Sequence, residues 1–288
     1  MPFIFAYSCG RGQSHIPLRY MRELGKIEAK KSLGQNFLTN PKVPEWMADA
    51  ASLKAGGTVV EIGPGTGMLT REFLKRGAKT IAIEADSRAI DVLSETFKDE
   101  LEKGQLVLMH ADIREVDLKE LGVDCGGYKL IANIPYYLSG FLFRTILEGE
   151  CQPETLVFLI QKEVAIRIVR DPKESLLSLG IKAYGVPSYI KTISRGNFTP
   201  QPNVDSAIIK IGEISKKRFK NVTEVDFFKL LHLGFAAKRK QLLGNLSQTW
   251  DRERLSNTFS TLGLPQDIRA EDIPLEQWFL LASALYGD

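Results

Sequence analysis

TVVEIGPGTG, Thr58 to Gly67, joins five strand-forming residues to a turn with glycine at positions 63, 65 and 67. Thr58 to Ile62 is short, apolar and rich in β-branched residues, which predicts a buried strand. The glycines that follow let the backbone adopt positive φ and approach a ligand closely. Met68 to Arg76 then has helical spacing and ends at Gly77. A strand, a glycine turn and a helix in that order form the first half of a βαβ unit, whose glycine turn holds a nucleotide-like ligand. Here the spacing is GxGxG rather than the GxGxxG of a dinucleotide site, and an acid, Glu61, stands directly before it. An acid there disfavours a phosphate and suits a cationic amino-acid moiety such as that of S-adenosylmethionine.

The alternation continues outward from this unit. Pro44 to Ala51 reads as a preceding helix, with Trp46, Met47 and Ala50 on one face. Downstream, Thr80 to Glu84 is a second strand and Ser87 to Phe97 a helix. Gln105 to His110 is a third strand, Tyr128 to Ala132 a fourth, and Thr155 to Ile160 a fifth followed by the helix of QKEVAIRIV. This pattern predicts a parallel, doubly wound α/β sheet of Rossmann-like class with helices on both faces. After Phe198 the style changes. FTPQPNVDSAIIKI carries two prolines and then an apolar alternation that suits an antiparallel edge hairpin. From Val222 onward the apolar spacing is helical. The expected organisation is an extension over residues 1–25 that is disordered, an α/β domain over 26–212 and a small all-helical domain over 213–288. MPFIFAYSCG lacks a basic segment before its short apolar run, and Met21 resembles a natural start.

Ligands of open α/β sheets bind at the carboxyl ends of strands. Glu84 ends the second strand, about 20 residues past the glycine turn, where an acid can accept both hydroxyls of a ribose. Asp112 follows the third strand and can accept from an adenine amino group. Either acid alone would be an ordinary surface residue or cap; glycine turn, Glu and Asp on successive strand ends form a series. The fourth strand runs into NIPYY, Asn133 to Tyr137. An exocyclic adenine amine is a poor nucleophile because its lone pair is delocalised into the ring. The Asn133 side-chain carbonyl and the Ile134 backbone carbonyl could accept its two N–H bonds and aim the nitrogen at an electrophile. Pro135 fixes the turn and Tyr136 can stack on the base. Tyr137 is read as packing.

Composition narrows the class. Apolar residues are 44% and charged residues 25%, an ordinary globular balance, and no apolar run reaches the roughly 18–20 residues of a membrane span. Cys9, Cys125 and Cys151 have no CxxC spacing, so neither a disulfide framework nor a zinc site is expected. His15, His110 and His232 are isolated, so no metal is assigned. The expected compartment is the reducing cytoplasm. The net charge of +3 is unevenly spread: Lys191 to Arg254 holds 13 Lys/Arg against 6 Asp/Glu, an excess of +7 that attracts polyanions.

With these residues in view, the chain resembles the rRNA adenine N6-dimethyltransferases that act on the small ribosomal subunit. KKSLGQNFL (Lys30 to Leu38), EIGPGTG, Glu84, Ala111-Asp112, NIPYY, QKEVA (Gln161 to Ala165), FTPQPNVDSA (Phe198 to Ala207), FAAKRKQLLGNL (Phe235 to Leu246) and IRAEDI (Ile268 to Ile273) match family motifs in order. The resemblance implies S-adenosylmethionine as cofactor, with Asn36 and Leu38 closing over it and Gly63, Gly65, Glu84, Asp112 and Asn133 completing its site. It implies that Asn133, Ile134, Pro135 and Tyr136 hold the target amine and that Tyr136 and Phe198 sandwich a flipped adenine. Lys238, Arg239 and Lys240 would contact rRNA phosphates. The implied partner is the small-subunit rRNA within a precursor 30S particle, met by a monomer with no membrane contact. Two departures stand out. A Lys-x-Tyr-Gly stretch of the family is replaced by DPKESLLSL (Asp171 to Leu179), and the basic segment has one arginine where two are usual.

The related enzymes of large-subunit rRNA share the catalytic motifs, but FTPQPNVDSA and IRAEDI favour the small-subunit branch. A non-catalytic assembly factor would tolerate a degraded NIPYY or glycine turn, and neither is degraded. A dehydrogenase is opposed by Glu61 and by the GxGxG spacing.

Overall fold

The computed structural model describes Ile27, residues 29–30, 34–237 and 239–287. The expected extension over 1–25 and the candidate Lys238 lie outside the described residues. The elements in chain order begin with β1 (Phe37–Leu38), α1 (Lys42–Ala50), β2 (Thr58–Ile62), α2 (Met68–Lys75), β3 (Lys79–Glu84), α3 (Ser87–Thr96), α4 (Lys98–Glu102) and β4 (Leu106–His110). They continue with β5 (Tyr128–Asn133), α5 (Ser139–Glu148), β6 (Thr155–Gln161), α6 (Lys162–Val169), α7 (Leu176–Tyr184), β7 (Val186–Ile193), β8 (Phe198–Thr199) and β9 (Ser206–Gly212). Helices α8 (Glu224–Gly234), α9 (Leu242–Leu246), α10 (Arg252–Thr261) and α11 (Leu275–Tyr286) close the chain.

Seven strands form one sheet in the order β4-β3-β2-β5-β6-β9-β7, and β1 pairs separately with β8. The first five are parallel; β9 runs antiparallel to both β6 and β7. The antiparallel character expected of the VDSAIIKI stretch is therefore present, but the sheet position differs. β9 is an interior strand, and the edge is β7, which contains Pro187 and the exposed Lys191 and Thr192. A proline is tolerated at such an edge because its missing N–H breaks no interior ladder. FTPQP contributes only the two residues of β8.

The strand order reverses between β2 and β5, so the crossovers leave in opposite directions and open a crevice at the carboxyl ends. Register makes that crevice a row: Ile62 lies opposite Ile83 on one side and Ala132 on the other. The next residues, Gly63, Glu84 and Asn133, therefore leave the sheet at one level. Alternate residues of β2 serve opposite faces. Val59 packs with α1 and α2 through Met47 and Phe73, whereas Val60 and Ile62 join the larger core. That larger core runs without a break from β5 and β6 through α5 and α7 to the C-terminal helices, where Trp278 is fully buried and Phe227 stacks on Phe279 at 4.3 Å.

The cysteine expectation is corrected. Cys125 and Cys151 form a disulfide. Cys125 precedes β5 and Cys151 precedes β6, and these strands are parallel neighbours, so both cysteines lie at the same end of the sheet. Gly126 also donates its N–H to the Gln152 carbonyl at 2.7 Å. Sheet pairing across 26 residues brings the thiols together, which no short sequence spacing records.

Candidate active site

A cleft over the strand ends is lined by five segments: Gly34 to Leu38, Gly63 to Thr66, Glu84 to Ala85, Ala111 to Arg114 and Asn133 to Leu138. It is an open cleft of about 1060 Å³, part of which is bulk solvent.

The glycine turn is shaped for close approach. Gly63 has φ +66°, and a Cβ built there would meet no atom within 4 Å, so its missing side chain leaves open space. Gly65 lies under Phe37, whose ring would be 3.0 Å from a Cβ at that position. Glu84 is buried. Its Oε2 accepts from the Gly65 N–H at 3.0 Å and its Oε1 from the Asp86 N–H at 2.9 Å. Burial pushes its pKa up, against the backbone N–H groups of Asp86, Gly65 and Ala85. Hydroxyl donors at the remaining acceptor positions of the carboxylate would offset the burial. Asp112 accepts the Arg114 backbone N–H at 2.9 Å and forms an ion pair with that guanidinium, which holds its pKa down. These donors and acceptors fit an adenosine-bearing cofactor.

NIPYY is held by its own backbone. Leu138 donates its N–H to Pro135 O at 2.9 Å, and the Ser139 hydroxyl donates to Tyr136 O at 2.9 Å. The Ile134 carbonyl has no hydrogen-bond donor among the described residues. Asn133 Nδ2 donates to the Asn36 carbonyl oxygen at 3.1 Å. A carbonyl can only accept, so this contact fixes which end of the amide is which and leaves Oδ1 for a donor in the cleft. The Tyr136 hydroxyl lies 2.7 Å from Ser206 Oγ at the start of β9, and burial pushes its pKa up.

The structure thus brings Asn36, Leu38, Gly63, Gly65, Glu84, Asp112, Asn133, Ile134, Pro135 and Tyr136 around one cleft. Phe198 is not among the lining residues. It is 4% exposed, opposite Leu38 in the β1–β8 pair, and packed in the core beneath. Arg239 and Lys240 are exposed on the loop between α8 and α9. Buried Asn245 ties that loop by donating to Gly234 O at 2.6 Å and Ala237 O at 3.3 Å.

Two sequence readings change. Glu61 does not line the cleft; it faces the interior, where Thr70 Oγ1 donates to its Oε2 at 2.6 Å and burial pushes its pKa up to about 8. Its role is to tie β2 to the start of α2, not to meet a cationic ligand directly. Tyr137 is not packed; it is among the most exposed large hydrophobic residues. Sequence reading also missed Gln35, whose Nε2 donates to Asp86 at 3.1 Å, and Ser206, the partner of Tyr136. Ser206 lies inside the quoted FTPQPNVDSA motif, so its signal was present without a role. DPKESLLSL forms a capping box in which Ser175 and Ser178 start α7.

Fold and cleft together define a class I methyltransferase: a seven-stranded sheet with helices on both faces and an open cleft at the switch point. Among solved structures, a dimethyladenosine transferase from Plasmodium falciparum aligns with TM-score 0.71 and 25% identity over 85% of this chain and 95% of that one. The sequence matches the ribosomal RNA adenine dimethylase family over residues 26–286, and the chain belongs to that family. Curated relatives named ribosomal RNA small subunit methyltransferase A are 40% identical in Dehalococcoides mccartyi, over 93% of this chain and 92% of the relative, and 35% identical in Clostridium botulinum, over 91% and 97%. Among the described residues, no helix is long and apolar enough to cross a membrane, and no group of three or more His, Cys, Asp or Glu residues could hold a metal ion.

Proposed function

We propose that this chain dimethylates the N6 amines of two adjacent adenosines in the 3′-terminal hairpin of small-subunit (16S) rRNA, with S-adenosylmethionine as donor, during small-subunit assembly. The observation that carries the reading is the pair of acceptors at NIPYY, Asn133 Oδ1 and Ile134 O, which have no donor among the described residues, with the Asn133 amide oriented by Asn36 O. The names of the curated relatives favour the small subunit over the large one.

Glu84 would hold the ribose hydroxyls of the cofactor, Asp112 its adenine amine, and Gly63 and Gly65 its amino-acid portion, under a cover made by Asn36 and Leu38. When bound, this cofactor supplies a methyl group on a positively charged sulfur. Asn133 Oδ1 and Ile134 O accept the two N–H bonds of the target amine. That draws the nitrogen lone pair out of the ring and favours the positive charge that develops on nitrogen as the new N–C bond forms and the methyl–sulfur bond breaks, its electron pair staying on sulfur to leave a neutral thioether. The amine proton then leaves to solvent, and no side chain of unusual basicity is needed. After one transfer a single N–H is left, for which one acceptor suffices, so the same turn serves the second methyl. Tyr136, pinned by Ser206, stacks on the base. Phe198 would complete the sandwich by turning out of its buried position as the base enters. The helical segment 213–288 would present Lys238, Arg239 and Lys240 to rRNA phosphates. On this reading the enzyme would act in the cytoplasm, as a monomer, on precursor 30S particles.

The test is incubation with unmodified small subunits and a labelled methyl donor, followed by mapping of the labelled bases. Label on two neighbouring adenosines near the 3′ end is expected. Label on large-subunit rRNA instead, or none on either subunit, would overturn the reading.

A further inference from the structure

Seven large hydrophobic residues are exposed among the described residues, and only two are aromatic: Tyr137 at 61% and Phe141 at 40%. They are four positions apart. Tyr137 lies in the short 3₁₀ turn Tyr136–Leu138 that runs directly into α5, and Phe141 lies in the first turn of α5. That spacing puts both rings on one side of a continuous helical segment. Tyr137 is also on the rim of the cleft, next to the residue that would stack on the target base. Gly34, at φ +60°, lies against its ring; a Cβ there would be 3.0 Å from Tyr137 Cε1. One edge of the ring is thus supported by the Gly34–Leu38 segment while most of its surface faces solvent. Further along the same exposed side, three residues past Phe141, stands Arg144, paired with Glu148. The turn beneath the rings is fixed by the Pro135 and Tyr136 carbonyl contacts described above, so the rings are pre-positioned.

We propose that Tyr137 and Phe141 form a stacking shelf for the unpaired nucleotides that flank the target adenosine. The inference rests on the reading of the cleft as an rRNA adenine site. The occupant is single-stranded RNA because the shelf is continuous with the mouth of that cleft. A base flipped into the cleft drags its neighbours, one backbone unit away, across this rim. Aromatic faces accept any base, which suits nucleotides that must be held while the target is exchanged. Where two adjacent adenosines are modified in turn, the shelf receives the one not in the cleft.

The test uses full-length Tyr137→Ala, Phe141→Ala, the double variant, and Tyr137→Trp and Phe141→Trp. Affinity for a single-stranded oligoadenylate is measured by fluorescence anisotropy, affinity for S-adenosylmethionine by calorimetry, and KM and kcat on small subunits. Each alanine should weaken oligoadenylate binding and raise the RNA KM by about 5- to 150-fold, the usual contribution of one stacked base. Tryptophan should restore both, and Phe141→Ala should bind the cofactor as tightly as the parent, which also confirms folding. Unchanged oligoadenylate affinity in the double variant overturns the shelf. So does a loss of cofactor affinity with an unchanged RNA KM, which would make Tyr137 a cofactor cover, and so does a loss confined to intact subunits, which would point to a protein partner. If the parent protein labels no adenosine, the catalytic reading fails, and the oligoadenylate arm still decides the shelf.

Discussion

Replacing Glu61 with Gln isolates one proton. Glu61 sits inside β2 between Ala82 and Ile131, fully buried, with Oε2 bonded to Thr70 and Oε1 without a partner among the described residues. Burial, aided by the neighbouring charge of Glu84, pushes its pKa from 4.5 up to about 8, against the Thr70 hydrogen bond. The folded state therefore binds this proton more tightly than the unfolded chain. Below pH 4.5 both states carry it and stability is at its full value. Between pH 4.5 and about 8 only the folded state carries it, so stability falls with rising pH by about 1.4 kcal/mol per unit. By pH 7 the loss is about 3 kcal/mol. Gln has the same shape, keeps an oxygen for Thr70 and does not titrate, so whatever its amide costs is independent of pH. Urea unfolding of both proteins, followed by tryptophan fluorescence from pH 4.5 to pH 8, measures the difference. The variant should gain about 3 kcal/mol on the parent between pH 4.5 and pH 7. Two parallel stability curves would refute a buried, neutral Glu61.

Two further perturbations test the frame around the site. Gly67→Ala forces a side chain at φ +74° and puts its Cβ 2.6 Å from Phe97 Cε2 and 2.8 Å from Leu93 Cδ2, both on buried residues. A loss of about 2–5 kcal/mol is expected by urea titration, from backbone strain and overpacking; a loss below about 0.5 kcal/mol would contradict the packing described. Reduction of Cys125–Cys151, which closes the loop holding β5, NIPYY and α5, should cost about 3–4 kcal/mol. Thiol titration of denatured, unreduced protein should find one free thiol of three; three would contradict the bond. In a reducing compartment the pair would be a dithiol and the chain correspondingly less stable.

Much of the parallel sheet could be read in advance because each strand is a short apolar run ending in a residue with a job. Glu84, Asp112 and Asn133 fall one after another at strand ends, and order along the chain was enough to group them. β7 was not read: VPSYIKTI has a proline and mixes polar with apolar residues, so it lacks the apolar run that marked the others. The β1–β8 pair joins two-residue strands some 160 positions apart, a contact with no local signal. Glu61 was given to the ligand because a strand buried on both faces has no polar side to reveal which way an acid points. The same limit hid the burial of Phe198 and the exposure of Tyr137. Both are aromatics in motif segments, and only the packing around them separates a core ring from a presented one.

The central claim is that Asn133, oriented by Asn36, holds the target amine. Single-turnover methylation of small subunits by Asn133→Ala, with rRNA binding measured in parallel, tests it most directly. The account predicts a rate lower by about 100-fold or more, the usual cost of losing one charge-stabilising contact, with rRNA affinity within about twofold of the parent. Methylation at the parental rate would contradict it.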